Sequence, residues 1–205
     1  MKEGLVESFS RPGGNATGIT LLTNLLEPKR FGLLRELVPS KSTIAVLLNP
    51  KFSAAAQILR DVRAAAKATD LQIQVLQAST DGELDAAFAA ISRGHFAALA
   101  TTADPFFDTR REKITALAAH CAVPAMYHAR EYVLVGGLMS YGIDFSEAYR
   151  QTGIYAGRVL NGAKPTDLPI MQATKFLMVI NLKTAKALGI KISDNLLSLA
   201  DEVIE

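Results

Sequence analysis

The sequence predicts an α/β protein built on a doubly wound parallel sheet. Four short apolar runs, Ile44–Leu48, Leu71–Val75, Phe96–Ala100 and Val123–Tyr127, alternate with stretches of helical periodicity. The second of them, Leu71-Gln72-Ile73-Gln74-Val75, alternates apolar with polar, as a strand exposed on one side does, whereas its neighbours are apolar throughout. Right-handed crossovers make such strands parallel. With the alternating run at an edge and the first run central, the simplest strand order is 2-1-3-4.

Each element has a local reason. From Glu27 to Val38, Phe31, Leu34 and Val38 share one helical face, Pro28 suits the first turn and Pro39 stops the helix. After Ile44–Leu48, Ser53 is placed to cap a helix whose Ile58, Val62 and Ala66 form the apolar stripe. Thr80 with Glu83, ahead of Leu84, Phe88 and Ile91, has the spacing of a capping box, and Thr109 with Glu112 repeats it ahead of Ile114, Leu117 and Cys121. Beyond Tyr127 the rhythm changes. Gly136 and Gly137 introduce a run to Tyr141, and Asp144 with Glu147 caps a long helix carrying Ala148, Tyr155, Ala156 and Val159, which Gly162 and Pro165 end. The apolar run Phe176–Ile180 and a short helix stopped by Gly189 close the chain.

Composition narrows the classes. The 205 residues are 49% hydrophobic with a net charge of +2, which suits a globular protein able to bury a sizeable core. Lys and Arg are spread singly or in pairs such as Arg110-Arg111, without the basic face that nucleic acid needs. No apolar run is long enough to cross a bilayer, and Met1-Lys2-Glu3-Gly4 is followed by no segment resembling a signal peptide. The single cysteine, Cys121, excludes an internal disulfide and reads as a small buried hydrophobe on a helix face. His95, His120 and His128 are scattered without metal-ligand spacing, so no metal or other cofactor is expected. His128 reads as a surface histidine more readily than as a general base. Arg11 to Gly18 is glycine-rich but lacks the phosphate-loop and dinucleotide spacings, and reads as a structured turn.

Strand order locates the candidate site. In a 2-1-3-4 sheet the switch point lies between the first and third strands, where strand tips and helix starts converge. The tips there are Asn49 and Ser53 on one side and Thr101, Thr102 and Asp104 on the other. Asn49 offers both a donor and an acceptor, Ser53 and the helix start behind it suit a carboxylate, and Asp104 suits an ammonium, so a zwitterion fits. Tyr127 and Tyr141 end runs directed at the same crevice and can wall a ligand. Each of these residues also has an ordinary structural reading, as turn, cap or core edge. No catalytic residue is singled out, although Asp104 or His128 acting as acid or base in an α/β enzyme remains an alternative.

Arg11–Gly18, Glu27-Pro28-Lys29-Arg30, Gly136–Asp144, Lys164–Pro169 and above all Lys175-Phe176-Leu177-Met178-Val179-Ile180-Asn181-Leu182-Lys183-Thr184-Ala185 resemble the ABC-transporter substrate-binding proteins related to tryptophan and tyrosine binders. That resemblance covers nearly the whole chain. It implies a two-lobed type I periplasmic binding fold, a small-molecule ligand held between lobes, a membrane permease as partner and an extracytoplasmic location. It also implies that this chain is truncated at its start. Residues 1–24 would be a remnant of the first lobe with a crossover, 25–135 the second lobe, 136–162 a return segment and helix of the first lobe, and 163–205 a closing segment of the second. Leu21, Leu22, Leu25, Leu26, Leu138, Met139 and Tyr141 would then expose first-lobe surface and promote self-association. Asp104 is followed by Pro105 where aromatic amino acid binders of this kind tend to have Asn, and Lys51 and Phe52 add bulk to the first crevice loop. The ligand core of a transcription regulator shares the architecture and remains a further alternative.

Overall fold

The computed structural model describes residues 6–21 and 23–205. In chain order the elements are β1 (Ile19–Thr20), α1 (Glu27–Leu37), β2 (Thr43–Leu48), α2 (Ala55–Ala68), β3 (Gln72–Gln77), α3 (Asp81–Arg93), β4 (Ala98–Thr101), α4 (Pro105–Asp108), α5 (Arg111–His120) and β5 (Ala125–Tyr127). There follow α6 (Arg130–Leu134), β6 (Met139–Ile143), α7 (Phe145–Leu160), β7 (Met171–Gln172), β8 (Phe176–Asn181), α8 (Leu182–Ala187), α9 (Asp194–Ser198) and β9 (Glu202–Ile204). They form two compact units. One combines the described residues 6–21 with Ile143–Phe176, and the other combines Thr23–Gly142 with Leu177–Glu205.

The larger unit is organised by a seven-stranded sheet of order β3-β2-β4-β5-β6-β8-β9. The first four places are the 2-1-3-4 order expected from the sequence, and β3 sits at the edge. Its pairs with β2, and those of β2 with β4, β4 with β5, β5 with β6 and β8 with β9, are parallel. Ile44, Val46 and Leu48 of β2 point into one apolar layer with Phe31 and Leu34 of α1 and Ile58 and Val62 of α2. Ala45 and Leu47, pointing the other way, are equally buried, and Leu84, Phe88 and Ile91 of α3 with Ile114 and Ala118 of α5 supply the opposite layer. A strand covered on both faces can be apolar at every position, which is why β2 reads as an unbroken run.

The smaller unit pairs β1 with β7, setting Ile19 beside Met171 and Thr20 beside Gln172. Helix α7 is capped by Asp144, whose carboxylate accepts the Glu147 N–H at 3.2 Å, and ends before Gly162, which takes φ 95. The Tyr155 hydroxyl donates to the Pro169 carbonyl at 2.8 Å and the Thr17 hydroxyl to that of Leu168 at 2.6 Å.

Three local expectations are corrected. Ser53 does not cap α2: the N-cap is Ala54, without a side-chain bond, because a turn through Phe52 delays the helix. Thr109 does not cap α5 either. It closes α4, its hydroxyl donating to the Phe106 carbonyl at 2.9 Å, and Arg110 stands at the start of α5. Of the residues expected to expose apolar surface, Leu25 does, while Leu26, Leu138 and Met139 are buried within the larger unit; Leu22 lies outside the described residues. The exposed apolar side chains instead include Tyr149, Ile154, Val159 and Leu160 of α7. The Thr80 box forms with a variation, since Thr80 accepts the Glu83 N–H while the Glu83 carboxylate reaches back to accept from the Ser79 N–H and hydroxyl.

Candidate functional site

The carboxyl ends of β2, β4, β5 and β6 lie side by side in the larger unit, and the sequence-predicted residues gather there. Asn49 follows β2 and Asp104 follows β4, its neighbour across the switch point. The Asn49 side-chain amide donates to both Asp104 oxygens, each at 3.2 Å, while its own carbonyl oxygen accepts the Lys51 N–H at 3.0 Å. Asp104 Oδ1 also accepts the Phe106 N–H at 2.8 Å, capping α4, where Pro105 occupies a first-turn position needing no N–H partner. Both side chains are buried, Asp104 with 3% of its surface exposed. A carboxylate held by one side-chain amide and one backbone N–H keeps acceptor capacity for a cation.

The remaining predicted residues divide. Thr102 uses its hydroxyl to close the sheet, donating to the Leu47 carbonyl at 2.9 Å. Thr101 Oγ1 is buried without a hydrogen-bond partner among the described residues, as is Ser140 Oγ of β6. Ser53 is exposed on the turn before α2. Tyr127 is buried and stacks on Tyr132 with ring centroids 4.7 Å apart, and burial raises its phenol pKa. Tyr141 is half-buried and presents its backbone carbonyl to Arg30 Nε at 2.8 Å.

Two arrangements were not singled out by sequence reasoning. His128, expected at the surface, is 1% exposed, because the turn after β5 folds it inward against Tyr132. Its Nε2 lies 2.9 Å from Asp108 Oδ1, the oxygen that also accepts the Tyr132 hydroxyl at 3.2 Å, and its Nδ1 has no partner among the described residues. Burial, followed by the nearby Asp108 carboxylate, raises the Tyr132 pKa. A histidine enclosed this way is fixed in orientation but closed to a substrate proton. Gly142 explains the tightness: a Cβ there would collide with the His128 carbonyl, so only glycine lets β6 pass. The second arrangement is the Glu27–Arg30 ion pair, 2.7 Å long and 2% and 1% exposed. Arg30 also donates to the carbonyls of Tyr141 and Thr23. Burial drives the Glu27 carboxyl upward and the Arg30 guanidinium downward, and their mutual attraction opposes both shifts. The signal for this pair was the i,i+3 spacing within Glu27-Pro28-Lys29-Arg30.

Among the described residues no cluster of His, Cys, Asp and Glu could hold a metal ion, and no helix is long and apolar enough to cross a membrane. The strand tips bring together a buried carboxylate, a side-chain amide and hydroxyl groups, with Tyr141 half-buried beside them and Tyr127 enclosed against Tyr132.

Among known proteins, the model of the family described as ABC transporter substrate binding protein matches residues 1–204. A tyrosine-binding protein of Clostridioides difficile is 24% identical over 191 residues, which are 93% of this chain and 54% of that protein, so the chain spans about half the length of this relative. An ABC domain in complex with L-Trp from Streptococcus pneumonia superposes with a TM-score of 0.84 at 26% identity, over 98% of this chain and 67% of that one. A conserved domain protein from Vibrio cholerae gives 0.86 at 24% identity, over 97% and 66%.

Proposed function

We propose that this chain, which belongs to the family of ABC transporter substrate binding proteins, serves as solute-binding component of an importer for an amino acid or similar zwitterion. The observation that carries this reading is the Asn49–Asp104 pair, a buried carboxylate oriented across the switch point with lone pairs to spare. An ammonium group placed there gains a charge-assisted hydrogen bond in a poorly hydrated position, where it is worth more than in water. Thr101, Thr102 and Ser53 border the same strand tips, the half-buried Tyr141 stands at the β6 end of the row, and Tyr127, enclosed against Tyr132, supports the β5 tip from behind. Relatives whose names specify tyrosine and L-Trp support an aromatic amino acid as ligand.

The role is binding and delivery without a chemical step, outside the cytoplasm, to a permease in the membrane. His128, enclosed and held through Nε2 by Asp108, has no open path to a substrate proton, which favours binding over an acid–base reaction. Affinity in such a site comes from a preformed crevice and from water leaving as polar groups pair with one ligand.

The test uses a property of the chain itself. It contains no Trp, so the emission of added L-tryptophan is read without protein background. The anisotropy of L-tryptophan should rise on titration with the protein, and L-tyrosine should compete, whereas tryptamine and indole-3-propionate, each lacking one charged group, should compete poorly. Unchanged anisotropy for L-tryptophan, with no heat of binding for any amino acid in a broader calorimetric screen, contradicts the reading.

A further inference from the structure

The two edges of the seven-stranded sheet are built differently. β9 is three residues long and lies among Asp201, Glu202 and Glu205, with Glu202 held by Arg130 through Nε and Nη2 at 2.5 and 2.7 Å. Short length and charge are the usual guards of a sheet edge. β3, at the other edge, is six residues long and carries neither. From Leu71 to Thr80 ten consecutive residues have no ionisable side chain, in a chain of which 20% is charged, and the stretch has no Pro.

The backbone of that edge is available in a regular pattern. The N–H groups of Gln72 and Ala78 point inward, donating to Ser42 and Leu48 on the β2 side, each at 3.0 Å. Alternation along a strand then turns the N–H and C=O groups of Ile73, Val75 and Gln77 outward. Gln72, Gln74 and Gln77 are exposed, and Ile73 and Val75 rest partly on the core.

We infer that β3 is a homodimerisation edge, pairing antiparallel with β3 of a second copy across a two-fold axis at Val75. In this register Val75 faces Val75, Ile73 faces Gln77, and Leu71 faces Ser79, so each outward residue exchanges both backbone bonds with its partner. An isologous contact sets any charge near the axis beside its own copy, and β3 has none there to repel. Neutral glutamines facing Ile and Leu across the axis suit a copy of the same strand better than an acidic or basic partner, which would meet no opposite charge. The inference is independent of the ligand.

Light scattering on the eluting full chain tests it. The mass should rise with concentration from 22.0 kDa to twice that value and no further, and the amides of Ile73, Val75 and Gln77 should gain hydrogen-exchange protection as it does. Gln77→Pro removes one outward N–H without touching the β2 ladder and should abolish the doubling, whereas Gln77→Ala should keep it. Gln74→Lys, which brings like charges to the axis, should also abolish it, and its circular dichroism and melting temperature should match those of the parent. A chain monomeric at every concentration overturns the inference. So does an open-ended series of larger species, or a dimer that survives Gln77→Pro and Gln74→Lys and is lost instead in Leu160→Asp, which alters the exposed apolar face of α7.

Discussion

The Asn49 side-chain amide bonds both oxygens of the Asp104 carboxylate at 3.2 Å and thereby ties the tip of β2 to the tip of β4. One residue closes a strand and the other opens a helix, so the contact fixes the mouth of the switch point as well as the carboxylate within it.

Truncating one partner should reveal that dependence. Asn49→Ala leaves a buried carboxylate short of a donor and should cost about 1–3 kcal/mol of stability. Asn49→Asp should be worse near neutral pH and recover in acid, because two adjacent carboxylates cannot both stay ionised. Denaturant titrations at neutral and acid pH give both values, and equal stability of the two variants at neutral pH would contradict the account.

Asp104 has separable duties. Asp104→Asn keeps an oxygen for the Phe106 N–H and one Asn49 contact but sets an NH2 against the Asn49 amide, so it should fold with some loss of stability and lose the charged acceptor. A charge-assisted hydrogen bond is worth about 1.5–3 kcal/mol, so L-tryptophan or L-tyrosine should bind about 10–100-fold more weakly. Calorimetric affinity beside a melting curve distinguishes lost binding from lost fold.

The buried Glu27–Arg30 pair should respond non-additively. Replacing either residue alone, as Glu27→Leu or Arg30→Met, leaves one charge enclosed at 1–2% exposure and should cost about 3–5 kcal/mol. The double variant Glu27→Leu with Arg30→Met should recover most of that loss. A double variant as unstable as the sum of the singles would show that the pair does more than satisfy itself.

Acid should weaken the smaller unit through Asp144. The hydrogen bond from Lys175 Nζ, at 2.8 Å, and the cap on α7 hold its carboxyl below the ordinary range. A group depressed in the folded state contributes stability above its unfolded pKa, and that contribution is lost as pH falls through the folded value. Amide protection factors along α7, corrected for the intrinsic exchange rate at each pH, should therefore fall in acid, and Asp144→Asn should flatten that dependence. Lys175 is 61% exposed, so added salt should shrink the effect.

Much of this architecture was legible in the residues. Periodicity and the alternation at Leu71–Val75 yielded the strand order, because a strand with one open face must show it and a fully covered one cannot. The order alone brought Asn49 and Asp104 together. Caps were less legible: Ser53 and Thr109 have suitable chemistry, but a turn at Phe52 and the short α4 displaced each helix start by one residue. The burial of His128 differs from its sequence reading because burial of a single polar residue depends on the path of the chain around it, here the turn after β5 that sets it against Tyr132 and Asp108, and no periodicity records that. The positions of Tyr127 and Tyr141 followed from the strands, while the stacking of Tyr127 on Tyr132 depended on Gly137, where a Cβ would meet the Tyr127 ring.

The central claim is that the strand tips of the larger unit receive an amino acid. Amide chemical-shift mapping with L-tyrosine and L-tryptophan tests it most directly, since it detects even weak binding and assigns its place. The predicted result is a saturable set of shifts at Asn49–Ser53, Thr101–Phe106, Tyr127–Arg130 and Tyr141–Gly142, which in Asp104→Asn should need about 10–100-fold more ligand to saturate. Saturable shifts confined to α7 or to β3, or none at all with either amino acid, would contradict it.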